Sequence, residues 1–343
     1  MLLSRVADRI YWGGRYMERA EDTARIVRAH AEMIADLPAQ ALVQWEPLVA
    51  IMGSGTRYTE TVDLRLEQQQ QGQLQSQFQS QSQSLHGAPP RASNEYPVVS
   101  FLVADRHNPG SVTRCVFAAR ENLRTTRDTI PRDGWATLND LYLYVNAEAD
   151  RSADRRLRDR FLTRVIADSR RLDGVLATAM THDEAYVMWR LGRAIERSDM
   201  TTRVLGVRAA DVLSRRSTGA TGATGHHDEV QWMGVLRSLS GLQMYQRAVR
   251  GPIEGPKVVQ FLLEHDRFPR AVRALLREIR NALGSLPDPG AVLDAVDRVD
   301  AVVRDSSAAT DDGEELDDAM DAVQVAISQL DRHITERYLR VGS

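Results

Sequence analysis

The 343-residue chain is long enough to bury a sizeable core, as one large domain or two smaller ones. A formal net charge of −3 argues against nucleic-acid binding by bulk charge, and the single cysteine, Cys115, excludes an intrachain disulfide or a cysteine-built zinc site. Lys257 is the only lysine, so Schiff-base chemistry has no other place to occur.

At the N-terminus, "MLLSRVADRIYW" is interrupted by Arg5, Asp8 and Arg9 and does not read as a signal peptide. No eighteen apolar residues run together, so no membrane span is expected and the setting is read as bacterial-type cytoplasm. From Ser4 onward, Val6, Ile10, Gly13, Met17, Ala20, Ala24, Val27 and Ala31 step by fours and threes, which predicts a long helix with a heptad seam. A second helical period covers Gln44–Leu66. It is followed by a Gln-rich stretch over 67–93 with little to bury, read as a disordered insert. Helical periods then cover Val112–Thr129 and Leu157–Ala179. At "THDE", Thr181 or Asp183 caps another long helix, whose seam runs through Met188, Leu191, Ile195, Ser198, Thr202 and Leu205. A Gly/Thr-rich stretch over 214–229 reads as a flexible loop. Further helices are predicted at Val230–Val249, Pro269–Leu283, Ala291–Val303 and Glu315–Tyr338. No segment alternates long enough to be a strand, so the fold class is all-α, a helical bundle.

The chain repeats itself. "GRYMERAEDTARIV" (14–27) and "GRAIERSDMTTRVL" (192–205) share six of fourteen residues. Gln44–Trp45, Tyr58 and Val62 recur as Gln231–Trp232, Tyr245 and Val249, and "VVSFL" (98–102) recurs as "VVQFL" (258–262). An Asp-Arg pair, a proline and a valine follow each (Asp105, Arg106, Pro109 and Val112; Asp266, Arg267, Pro269 and Val272). Removing 67–93 restores the spacing between the copies. The sequence therefore reads as two tandem pseudo-symmetric copies of one multi-helix unit, residues 1–180 and 181–343.

At 100° per residue, Arg15, Glu18, Arg19, Glu21, Asp22 and Arg25 share an arc of about 160° opposite the first seam. Arg193, Glu196, Arg197, Asp199 and Arg203 repeat it on the second helix. A solvated face held by i,i+4 pairs explains such a pattern cheaply. Tyr11 and Trp189, however, stand at matching places on the arcs, where an aromatic suits a covered layer in which a guanidinium can stack on the ring. The two arcs are expected to face each other. Their shared centre is either a structural ionic core or a site for an anionic ligand held by guanidinium forks. Ten of these residues, all but Asp22, are the candidate ligand-binding set, with Asn108, His182 and Asp183 as secondary candidates. A metal centre built on Glu18, Glu21, Glu196 and Asp199 is disfavoured by the arginines around them, so no metal or other cofactor is expected. Cys115 lies on an apolar helical stretch and reads as a small buried hydrophobe. His182 reads as a helix-start residue and Asn108 as a turn or capping residue.

Four motifs, "LSRVADRIYWGGRYMERAEDTARIV", "DRHNPGSVTRCVFAARENLRTTRD", "HDEAYVMWRLGRAIERSDMTTRVL" and "FLLEHDRFPRAV", together resemble the bacterial alpha-E domain family. The resemblance covers nearly the whole chain outside the Gln-rich and Gly/Thr-rich stretches. It marks the ten core residues together with Asp105, Asn108, Pro109, Arg120, Glu121, Asn122, His182, Asp183 and Glu184. It implies an all-helical protein encoded beside, or fused to, an ATP-grasp-type ligase, often with a transglutaminase-like protein, and supplies no catalytic residue. The implied function is a partner subunit of a peptide or amide-bond-forming system, holding an anionic substrate or acceptor peptide, with no nucleic acid and no membrane. The alternatives are a stand-alone enzyme using a buried glutamate as acid or base, and a purely structural scaffold.

Overall fold

A computed structural model describes residues 2–36, 44–62, 94–217, 224–307 and 313–340. Among the described residues every regular element is helical. The Gln-rich stretch over 67–93 lies outside them.

The first helix, α1 (Ser4–Asp36), is followed by short helices α2 (Glu46–Ile51), α3 (55–62) and α4 (Glu95–Val99). A π-turn over Ser100–Ala104 then leads to three longer helices: α5 (Val112–Arg124), α6 (Arg132–Glu148) and α7 (Arg155–Ala179). The second long helix, α8 (Glu184–Ser217), opens the other half. After it come α9 (Thr224–Ser238), α10 (Leu242–Ala248), α11 (Gly255–Glu264), α12 (Val272–Leu283), α13 (Gly290–Ser307) and α14 (Gly313–Ile334).

Two predicted features differ. Residues 214–217 close α8 and 224–229 open α9, and 218–223 of the expected loop lie outside the described residues. The glycine–threonine run is confined to that neighbourhood, while Ser214, Arg215 and Arg216 have ordinary helix propensity. The helical periods 44–66 and 230–249 are each broken. Gly53 (φ 62°) and Ser240 (φ 53°) take the left-handed conformation that ends a helix, and these two residues stand 187 apart, the spacing of the Gln-Trp repeat.

α1 and α8 lie at the centre and pack on each other. α1 also packs on α5 and α7, which close a layer with α6 between them; α8 packs in the same order on α12 and α14, with α13 between. The crossing contacts correspond too, since α9 reaches α1 and α2 reaches α8. Seam residues Ile10, Met17, Ala20, Ala24 and Val27 join the apolar core, as do Leu191, Ile195 and Leu205. The charged arcs are buried as well, against each other. A Cβ on Gly14 would lie 2.6 Å from the Trp189 carbonyl oxygen, and one on Gly192 would collide with that of Tyr11. The two helix backbones therefore touch, and only glycine fits at these crossing points.

Candidate functional site

The backbone contact at Gly14 and Gly192 brings the charged arcs of α1 and α8 within hydrogen-bond reach, and their pairing is reciprocal. The Arg15 Nε donates to Glu196 Oε2 at 2.9 Å, and the Arg193 Nε donates to Glu18 Oε2 at 2.7 Å. One turn on, the Arg19 Nε donates to Glu196 Oε1 at 2.5 Å, and Arg197 grips both oxygens of Glu18 at 2.8 and 2.7 Å. Glu18 and Glu196 are each 0% exposed.

Further along, each helix carries an i,i+4 pair. Arg25 donates to Glu21, and the Arg203 Nε donates to Asp199 Oδ2 at 2.8 Å. The arginines then reach the corresponding left-handed turns. Arg25 donates to the Ser240 hydroxyl, while the Arg203 guanidinium lies over Gly53, 2.6 Å from where a Cβ would stand. The ten core residues are thus all assembled in one buried layer or at its margin.

Four partners in this layer lie outside the predicted set, one of them Arg170 of α7, whose Nε stands 3.5 Å from Glu21 Oε1. Arg270, in the turn before α12, donates to Glu18 Oε1 at 2.9 Å and to Asp22 Oδ1 at 2.6 Å. From α14, Asp331 accepts from the Tyr11 hydroxyl and from Arg15 at 2.7 Å. From α7, Asp173 accepts from the Trp189 indole at 3.2 Å and pairs with Arg193. Trp189 thus engages an aspartate, whereas the Arg15 guanidinium does lie over aromatic rings, 6.0 Å from Tyr11 and 5.0 Å from Trp12. A Leu-Asp dipeptide at 172–173 and at 330–331 was the sequence signal for the two aspartates; Arg270 sits in the quoted "HDRFPRAV" but belongs to no period.

Burial alone would raise the Glu18 carboxyl, but Arg193, Arg197 and Arg270 overcome it and hold the group well below the usual carboxylate range. Burial opposes ionisation of Glu196 in the same way, and Arg19 and Arg15 hold it down. Asp22 behaves differently. Burial pushes its carboxyl up to about 7 despite Arg270, with Glu18 adding a like charge, and its Oδ2 has no hydrogen-bond partner. Burial also raises Asp199 against the pull of Arg203.

The secondary candidates lie elsewhere. Asn108 donates to the Phe101 carbonyl at 3.0 Å and accepts from the Gly110 amide at 3.0 Å, which fixes the turn into α5; Ser111 caps that helix by accepting from the Arg114 amide. Asp183 caps α8, accepting the Ala185 amide at 3.0 Å. The exposed His182 stacks on Tyr186 with centroids 4.0 Å apart. Both line a surface cleft with Leu2 and Ser285 rather than the ionic layer. Cys115 is buried, and burial pushes its thiol up to about 12. Among the described residues no three His, Cys, Asp or Glu side chains gather as metal ligands would.

Fold and centre together define a class, an all-α bundle whose two central helices are joined by a buried, reciprocal arginine–glutamate layer. The chain belongs to the Alpha-E family, described as a predicted alpha-helical domain with a conserved ER motif, which it matches over residues 2–339. Glu-Arg dipeptides stand at 18–19 and 196–197, the middle of that layer. The chain is also similar to uncharacterized proteins of Mycobacterium bovis and Mycobacterium tuberculosis, 23% identical over 294 residues that cover 82% of this chain and 30% of theirs. It therefore spans less than a third of the length of those relatives. No solved structure matches it.

Proposed function

We propose that the protein is a helical partner subunit of an ATP-grasp-type, amide-bond-forming ligase in the cytoplasm, built by tandem duplication of one helical unit. The observation that carries this reading is the length of the mycobacterial relatives, in which an Alpha-E-like region accounts for 30% of the polypeptide. A region of this kind works joined to something larger. That the something is a ligase rests on the family resemblance, as does a transglutaminase-like third component. The described helices add one compatible fact, that none is long and apolar enough to cross a membrane.

The ionic layer supports a holding role in this reading. Glu18 and Glu196 are saturated by guanidinium groups from the opposite helix, and breaking such a buried pair costs about 3–5 kcal/mol because a charge is stranded. The layer keeps α1 and α8 rigid so that the outer helices present a fixed surface to the partner. The stand-alone enzyme finds less support. A glutamate serving as acid near neutral pH needs a raised pKa, and the arginines draw Glu18 and Glu196 the other way.

Co-purification of the tagged full chain with the ligase encoded beside it tests the proposal. Stable association is expected, as is its persistence when Glu18 is replaced by glutamine under conditions where the variant stays folded. Failure of the two folded proteins to associate at micromolar concentrations, with and without ATP, refutes it.

A further inference from the structure

We infer that the α5–α6 surface carries a carboxylate-binding cleft for an acidic peptide, with Arg106 and Arg114 as its anion-holding residues. This deepens the reading above by moving the anionic ligand from the paired core to the outside, and it rests on that reading only for the ligand's use as substrate or acceptor.

Arg106, Thr113, Arg114, Phe117, Tyr142, Val145 and Asn146 line a cleft of about 200 Å³. Arg106, Arg114 and Asn146 are exposed, and Phe117 and Tyr142 are half-buried. Most arginines of this protein are ion-paired, but among the described residues neither Arg106 nor Arg114 has a carboxylate partner. Asp105, the carboxylate nearest in sequence to Arg106, accepts the His107 amide at 2.8 Å. The Arg114 guanidinium is placed over the Phe117 ring, 4.7 Å from its centroid. Phe117 in turn lies 6.2 Å from Tyr142, and Arg120 lies over the Tyr142 ring, 4.6 Å from its centroid. The ladder continues from Arg120 to Trp135 at 5.4 Å and on to Arg127 at 5.2 Å from the same ring.

A guanidinium stacked on a ring has lost rotational freedom before any ligand arrives, while its N–H edge stays open to an acceptor. One such group over an aromatic floor, with the exposed Arg106 lining the same cleft, suits one planar carboxylate carried on a short apolar stem. The Asn146 amide has a donor and an acceptor to offer the adjoining peptide link.

The other half shows that this arrangement is not imposed by the fold. There the Asp-Arg arginine, Arg267, has Asp266 3.9 Å away, and Ala274 stands where the first half has Arg114, two residues past the helix-opening valine. Arg277 takes the place of Phe117, five residues past the helix-opening valine in each case.

Fluorescence anisotropy on the full chain tests the inference with three labelled hexapeptides. One has a free C-terminal carboxylate and no acidic side chain, one is amidated with a single internal glutamate, and one is amidated with no acid. Saturable binding of either carboxylate peptide, with none for the acid-free one, is expected, and which peptide binds identifies the source of the carboxylate. Arg106→Ala and Arg114→Ala should each weaken binding about tenfold, while Arg171→Ala, an exposed arginine on α7, leaves it unchanged. Melting temperatures should match the parent in all three variants. Absence of saturation with both carboxylate peptides overturns the inference. So does equal weakening by Arg171→Ala, or tighter binding of a single-stranded oligonucleotide than of either peptide. Ligase co-purification, run in parallel, separates the two ideas. Peptide binding without ligase association leaves the cleft standing and removes the partner reading.

Discussion

Glu18 and Glu196 occupy the same place on two packed helices, and their surroundings differ by one pair of charges. Glu196 is held by Arg15 and Arg19. Glu18 is held by Arg193 and Arg197 and also by Arg270. Arg270 follows Pro269, where the first half has Gly110 after Pro109; Asp22, its second partner, stands where α8 has Met200. The additional base and the additional acid are 2.6 Å apart. A buried charge is tolerated only with its opposite, so an interior that holds one must hold both. The comparison teaches that the reciprocal pairs fasten the helices, while the Asp22–Arg270 pair is an addition confined to one side.

Stability measurements sharpen this contrast. The largest effect should come from Glu18→Gln, which leaves Arg193, Arg197 and Arg270 in a dry layer short of countercharge. Chemical denaturation should show a loss of about 3–5 kcal/mol. The loss for Glu196→Gln should be smaller, because Arg19 is 28% exposed and can turn to water. Equal losses would break the comparison. Next, Gly192→Ala should cost roughly 1–3 kcal/mol by forcing α1 and α8 apart, and more than Gly14→Ala, whose added methyl meets the opposing carbonyl at 2.6 Å.

The third effect is in pH dependence. Asp22 is raised to about 7 in the folded chain and takes the ordinary value near 3.9 when unfolded. Between about pH 4 and 7 the folded state therefore keeps a proton that the unfolded state has released, and this group makes stability fall as pH rises. Asp22→Asn should flatten that slope in urea melts run across the window. Glu18 and Glu196, held low, act in the opposite sense. Their contribution is complete above the unfolded value near 4.3 and is lost as pH falls below it. The smallest effect should be that of Gly53→Ser, which copies Ser240 into the other half. It should cost about 1 kcal/mol by thermal melt, from the left-handed backbone and the displaced Arg203.

How far the sequence disclosed this follows from the reach of its periods. The α1–α8 pair was legible because Arg-x-x-Glu-Arg occurs twice opposite a heptad seam, and a charged stripe with aromatics at Tyr11 and Trp189 implies cover. The breaks at Gly53 and Ser240 were hidden because apolar spacing continues across them. α6 was missed altogether, although Trp135, Leu138, Leu141 and Val145 recur at helical intervals, since the stretch between Thr129 and Leu157 is bounded by no strong apolar run. Arg270 was beyond reach for a different reason. It works as a single side chain in a turn, brought to Glu18 from 252 residues away by packing that no local pattern records.

That distance has a consequence for biosynthesis. The acidic side chains of α1 emerge from the ribosome early, but the cations that neutralise Glu18 and Asp22 are translated only at positions 193, 197 and 270. Until then the charged side of the nascent first helix has no reason to leave water. A fragment released before Arg270 should remain open to proteases, and the molecule should close in one late step rather than half by half.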